Sequence, residues 1–300
     1  MSNSSPAFVV FAYAAMCLIW GSTWMAIKVG LRGAPPLTSI AVRMAIASLL
    51  VAAIVRWRRI PLPREARFVR LGVFLGVFHV VLPYTLVYYS EQRISSGLAA
   101  VLYATLPLFV MLLARAMLAN PLTARKLAGV AAGLVGVAVI FSDNLRLGRA
   151  EATGTVMVIG SVMASAVGAV ATKKWARAYH PVASLLVPFS TAALITTACA
   201  LVFEPSASLR FDATTWSTIV YLAAAGSVVA FALFFFILQH LDVTLVSYQT
   251  FIIPVVAVLL GWVFLGETLS ARVGAGAALI LAGISLATFL GPRGGATRRA

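Results

Sequence analysis

Ten runs of apolar residues, each close to the roughly 20 residues a helix needs to cross hydrocarbon, alternate along the chain with short breakers rich in Gly, Pro, Arg and Lys. They cover approximately Ala7–Lys28, Pro36–Val55, Val69–Ser90, Ser95–Met117, Ala124–Phe141, Gly154–Lys173, Pro181–Phe203, Thr214–Leu238, Val243–Leu265 and Ala271–Leu290. The fifth is short and needs Arg125 and Lys126 to snorkel at its start. This pattern predicts an all-α integral membrane protein of ten transmembrane helices.

Composition agrees: 62% of the 300 residues are apolar and 10% charged, too few polar side chains to cover a soluble domain of this length. The formal charge of +15 raises the question of nucleic acid, and the distribution of the charge answers it. Basic residues cluster at the ends of the apolar runs and form no stripe along a polar helix face, so no nucleic-acid partner is expected. One side of the predicted bilayer collects 15 Lys and Arg and the other 7, with six arginines between Arg56 and Arg70 alone. Because short basic loops stay in the cytoplasm, both termini are expected there. Cys17 and Cys199 fall inside apolar runs and indicate no disulfide framework. The first run is read as a span and not as a cleavable signal, since no basic segment precedes it and no small-residue cleavage site follows.

The chain also repeats itself. A shift of 147 residues pairs Leu75 with Leu222, Gln92 with Gln239, Pro107 with Pro254, Arg125 with Arg272, Gly129 with Gly276 and Gly136 with Gly283. Nearer the start of each half a shift of 145 pairs Lys28 with Lys173 and Pro36 with Pro181. The expected units are 1–145 and 146–300, five spans each. An odd number of spans makes the second copy enter the membrane from the opposite face, and inverted repeats of this kind place substrate sites between the halves.

Candidate chemistry lies in the spans. Trp20, Trp24 and Lys28 recur at steps of four along one side of the first helix. Trp20 is well inside, where it either stacks on an organic ligand or fills a helix interface; Lys28, at the end, is expected to snorkel. Tyr84, Tyr88, Tyr103, Tyr248 and Gln249 carry polar tips at comparable depth and are expected to contact substrate, as is His79, whose other reading is neutral packing. Pro107 and Pro254, equivalent in the repeat, are expected to bend their helices and let the halves move. Arg43 is about seven residues into the second span, roughly 10 Å deep at the helical rise. Glu91 is its expected partner in a structural or coupling charge pair, with contact to an anion or carboxylate as the alternative. Gly72 with Gly76, Gly129 with Gly133, and Gly274, Gly276 and Gly283 form small surfaces for close helix packing. No zinc-protease helix, phosphate-binding loop or nucleophile elbow occurs, so catalytic residues, metal and cofactor are not expected.

The run Trp20-Gly21-Ser22-Thr23-Trp24 through Lys28, Arg43 leading into Ala47 and Leu50, the paired prolines, and Leu265-Gly266-Glu267 ahead of a Gly-rich last helix resemble the EamA family of the drug/metabolite transporter superfamily. The general run is also similar to the YddG-type amino-acid exporters within it. The resemblance implies ten helices around a central cavity, both ends inside, and export of small metabolites such as amino acids across the inner membrane by alternating access. The first half departs from the pattern, with Asn120 where the second has Glu267. The expected partners are a small-molecule substrate and the lipid bilayer; oligomeric state is left open. A membrane-embedded enzyme acting on lipid-linked substrate and an uncoupled gated pore are the alternatives.

Overall fold

The computed structural model describes residues 6–94, 99, 102–140, 149–204, 212–265 and 271–289. Every element among these residues is a helix. In chain order they are α1 (Pro6–Gly30), α2 (Pro36–Trp57), α3 (Ala66–Glu91), α4 (Leu106–Leu118), α5 (Ala124–Ile140), α6 (Arg149–Ala171, widening into a π turn at Thr172–Ala176), α7 (Ala183–Phe203), α8 (Ala213–His240), α9 (Val243–Ser247), α10 (Gln249–Leu265) and α11 (Ala271–Phe289). Six of the described helices are long and apolar enough to cross a membrane: α1, α2, α3, the greater part of α6, α7 and α8. Leu49, Val156, Leu194, Leu201, Phe203 and Leu281 face outward, an exterior suited to hydrocarbon and not to water.

Two predicted spans are not continuous. The fourth run turns at Ala104–Thr105, which places Pro107 in the first turn of α4 instead of mid-helix. There proline costs nothing, because a first-turn N–H has no helical partner. The ninth run breaks at Tyr248 between α9 and α10, and Pro254 does sit inside α10. Two longer helices stay continuous by widening: α3 is a π-helix over Gly76–Val81 and α8 over Ala224–Val229. In α3 the cause is at hand, since Pro83 has no N–H for the carbonyl of His79 and its ring crowds that carbonyl. The Leu265-Gly266-Glu267 stretch ends outside the described residues.

Helix pairing follows small residues. α5 lies along α11, where a side chain at Gly136 would strike the Gly276 carbonyl oxygen at 2.6 Å and one at Gly283 would meet Ala132 Cβ at 2.8 Å. Gly72 and Gly76 let α3 rest on Val187 and Thr191 of α7. Several other contacts are related by the repeat: α2 with α7 maps onto itself, α3 with α6 matches α1 with α8, α4 with α6 matches α1 with α10, and α3 with α7 matches α2 with α8.

Helix ends are tied by charged groups. Glu204, past the end of α7, accepts from the Leu37 and Thr38 amides at 2.8 Å each, from Thr38 Oγ1 at 2.9 Å and from the Tyr89 hydroxyl at 3.1 Å, a carboxylate on the N-terminus of α2. Asp212 caps α8, and the Thr215 amide donating to it at 2.7 Å holds its carboxyl below the usual carboxylate range. Lys28, exposed at the end of α1, donates its Nζ to the Glu91 carbonyl at 3.2 Å, one of the carbonyls the end of α3 leaves open. Lys173, its partner at the shift of 145, donates to the carbonyls of Leu238 and Leu241 at the end of α8.

Two stability predictions follow from these contacts. Gly136→Leu should lower the unfolding free energy in mixed micelles by about 1–3 kcal/mol through overpacking against α11, and an unchanged SDS titration midpoint would show that α5 and α11 are not in tight contact. Glu204→Ala should lower it by about 0.5–2 kcal/mol, the value of a helix N-terminal acceptor, in the same titration.

Candidate functional site

The π segment of α8 opens the site. Widening the ladder frees carbonyls, and the indole Nε1 of Trp20 donates to the Gly226 carbonyl at 3.1 Å. The absence of a side chain at Gly226 lets α8 approach α1 and α2, since a Cβ there would lie 2.9 Å from Thr23 Cγ2 and 3.4 Å from Arg43 Nη2. Ser227, next in the segment, donates its hydroxyl to the Leu222 carbonyl at 2.9 Å and accepts from Arg43 Nε at 3.0 Å.

Arg43 is 2% exposed. Its Nη1 donates to the Tyr88 hydroxyl at 3.1 Å, its Nη2 donates to the Tyr84 hydroxyl at 3.0 Å, and its Cζ is 4.4 Å from the Tyr84 ring centroid. The expected pairing with Glu91 is not formed. Glu91 is the last residue of α3, whereas Arg43 lies about one to two turns deeper, at the level of the tyrosines three and seven residues earlier on the same helix. Both carboxylate oxygens of Glu91 are buried without a hydrogen-bond partner.

Arg43, Tyr84 and Tyr88 border a cavity of about 120 Å³, room for several waters or part of a small organic molecule. Trp20, His79, Tyr84, Tyr88, Tyr103 and Gln249 all line it, as does Pro254. Tyr248 does not. It stands at the break between Ser247 and Gln249, both of which face the cavity, and points instead to α5, stacking on Phe251 at 5.7 Å with its hydroxyl 3.4 Å from the Lys126 carbonyl. Pro107 is buried outside the lining, although Leu106 beside it takes part.

Aromatic rings make a large part of the wall. Trp20 meets Phe231 and Phe234 at 5.4 and 5.6 Å between centroids, and Trp24 meets Tyr103 edge-on at 5.7 Å. His79 sits edge-on to the same two phenylalanines, its Nδ1 facing Gly168 of α6 without a hydrogen-bond partner. The Tyr103 hydroxyl shares a 2.7 Å hydrogen bond with Ser165. The amide oxygen of Gln249 is buried and unpartnered.

Phe231 and Phe234 were not among the expected contacts, yet a signal for them exists. The shift of 147 carries Tyr84 to Phe231, Val87 to Phe234, Tyr103 to Thr250 and Leu106 to Ile253, and the shift of 145 carries Trp20 to Ser165 and Trp24 to Ala169. Both members of all six pairs line the cavity. The same register relates two close crossings, His79 on Gly168 and Thr23 on Gly226, with the large and small members exchanged.

Comparison with known proteins gives a concordant picture. An Escherichia coli (strain K12) protein named "Uncharacterized inner membrane transporter YedA" is 28% identical over 85% of this chain and 82% of its own length. A Salmonella typhimurium protein named "Probable amino-acid metabolite efflux pump" is 24% identical over 91% of this chain and 92% of its own. A protein of known crystal structure, 20% identical, superposes with a TM-score of 0.80 over 95% of this chain and 98% of that one, so the fold is shared. The profile of the EamA-like transporter family matches residues 7–142 and matches again over 152–289, and the chain belongs to that family.

Proposed function

We propose that this chain is a secondary transporter or facilitator that exports small organic metabolites, amino acids with apolar or aromatic side chains among them, across the inner membrane. In this reading α4, α5, α9 with α10, and α11 complete ten spans in two inverted repeats, 1–145 and 146–300, with both termini cytoplasmic. The cavity then opens to either face in turn, Pro254 and the turn ahead of Pro107 serving as the points where helices bend.

One observation carries the proposal: the cavity wall is built from equivalent positions of the two halves. A site on the axis between related halves can be exposed to one side by an arrangement that, with the roles of the halves exchanged, exposes it to the other. The paired helix contacts support this, since exchanging the halves turns the contact of α3 with α6 into that of α8 with α1. Aromatic faces supply stacking for an apolar side chain, and the hydroxyls, Gln249 and Arg43 supply orientation. The names of the two relatives agree with export and with the inner membrane.

Purified protein in liposomes should accelerate exchange of labelled Trp, Phe and Met above empty vesicles, more strongly than Lys or Glu. Preloading the far side should raise the rate further, as a carrier requires and a pore does not. Trp20→Ala should cut that exchange by about tenfold, equivalent to one lost ring contact of roughly 1.4 kcal/mol, with the folded yield retained. Flux of no member of the panel, or equal flux with and without preloading, would sink the carrier reading.

A further inference from the structure

Arg43 carries a full charge into the interior, and its hydrogen-bond partners among the described residues are neutral: Ser227, Tyr84 and Tyr88. A guanidinium has five N–H donors, and these three bonds leave one N–H on each terminal nitrogen without an acceptor. The hydroxyls of Tyr84 and Tyr88 accept from Arg43 and donate to no acceptor among the described residues, so each retains an O–H. Two N–H and two O–H donors therefore border one end of the cavity, with no acidic side chain among the described residues that line it. A buried cation is costly to leave without an anion, and the surplus of donors matches the four lone-pair sites of a carboxylate.

We propose that Arg43, Tyr84 and Tyr88 form a carboxylate-binding site, and that the carboxylate, not an amino group, is the feature by which ligands are recognised. The body of the ligand lies against Trp20, Trp24, Phe231 and Phe234. An α-ammonium has only neutral acceptors available, chiefly the free amide oxygen of Gln249, and is dispensable. The substrate class is thus small organic acids with an apolar or aromatic body, of which amino acids are one subset. This specificity rests on the transport reading above for its physiological meaning, but the site itself is defined by binding.

Calorimetry on the full purified chain with four probes tests it: phenylalanine, 3-phenylpropionate, which lacks the amino group, phenethylamine, which lacks the carboxylate, and phenylalaninamide. The two acids should bind within a few-fold of each other, and the amine and amide at least about tenfold more weakly, the usual penalty for an unpaired buried charge. Arg43→Gln should abolish acid binding, Arg43→Lys should retain part of it, and Tyr84→Phe should weaken it less than Arg43→Gln. The four-probe comparison needs no variant, so it stands even where a substitution at Arg43 prevents folding. The assignment is overturned if the amine binds as well as the acids, if neither acid binds, or if Arg43→Gln folds and keeps full affinity for 3-phenylpropionate. Acid binding without flux in liposomes would remove the transport reading and leave the carboxylate site; phenylalanine exchange inhibited equally by the amine would do the reverse.

Discussion

Hydrocarbon offers no hydrogen bond, so a helix surrounded by lipid must satisfy every N–H and C=O within itself or within the protein, and this constraint places each irregularity of the bundle. The π segment of α8 leaves the Gly226 carbonyl to the indole of Trp20 and that of Leu222 to the hydroxyl of Ser227. The π segment of α3 brings His79 to the same cavity. The turn ahead of α4 and the break ahead of α10 lie beside Tyr103 and Gln249, again on the cavity wall. Helix ends obey the same rule, with Lys28, Lys173 and Glu204 taking up the groups that the ends of α3, α8 and α2 leave open. Four interruptions of the regular ladders thus lie at the cavity, where polar side chains meet the freed backbone.

Charge is handled by the same logic at higher cost. Ion pairs are almost absent from the interior: among the described residues the salt bridge is Lys126 with Asp242 at 3.6 Å, near the ends of α5 and α8. Glu204 is spent on a helix N-terminus, where amide dipoles stand in for a counter-ion. Arg43 has hydroxyls and a ring face instead. Neutral partners orient a guanidinium without cancelling its charge, so its field stays directed into the cavity beside it.

Much of this was legible in the sequence, and the reasons for the rest are physical. Apolar run length located the helices, since burial in lipid demands continuous apolar residues whatever the tertiary contacts. Six of the seven expected contact residues reached the cavity because a polar tip deep in a span has nowhere else to go. Tyr248 failed because a break in the helix turns neighbouring residues to different faces, and run length does not register a break. The Arg43–Glu91 pairing failed on depth: opposite charges attract at any spacing in a sequence, but a side chain reaches only about one turn up or down a packed neighbour. Phe231 and Phe234 look like ordinary apolar positions until the repeat register sets them beside Tyr84 and Val87.

The same register exposes an asymmetry with mechanistic weight. The cavity wall is matched at six pairs of positions but not in polarity: Tyr84 is matched by Phe231, whereas Arg43, His79 and Tyr88 line the cavity and their counterparts Pro188, Gly226 and Phe235 do not. The charged and phenolic groups of the wall come from the first half, while the second half offers Phe231 and Phe234 beside the neutral polar groups of Ser165, Ser247, Gln249 and Thr250. For a carrier that alternates between two faces, this division is useful. Directional hydrogen bonds are intolerant of small displacements, whereas apolar contact is not, so a polar end held by one half can ride with it while Phe231 and Phe234 of the other slide past. The two arrangements then differ mainly in which apolar surfaces meet, and equivalent positions keep that difference small, as an equilibrium that a modest ligand is to shift requires.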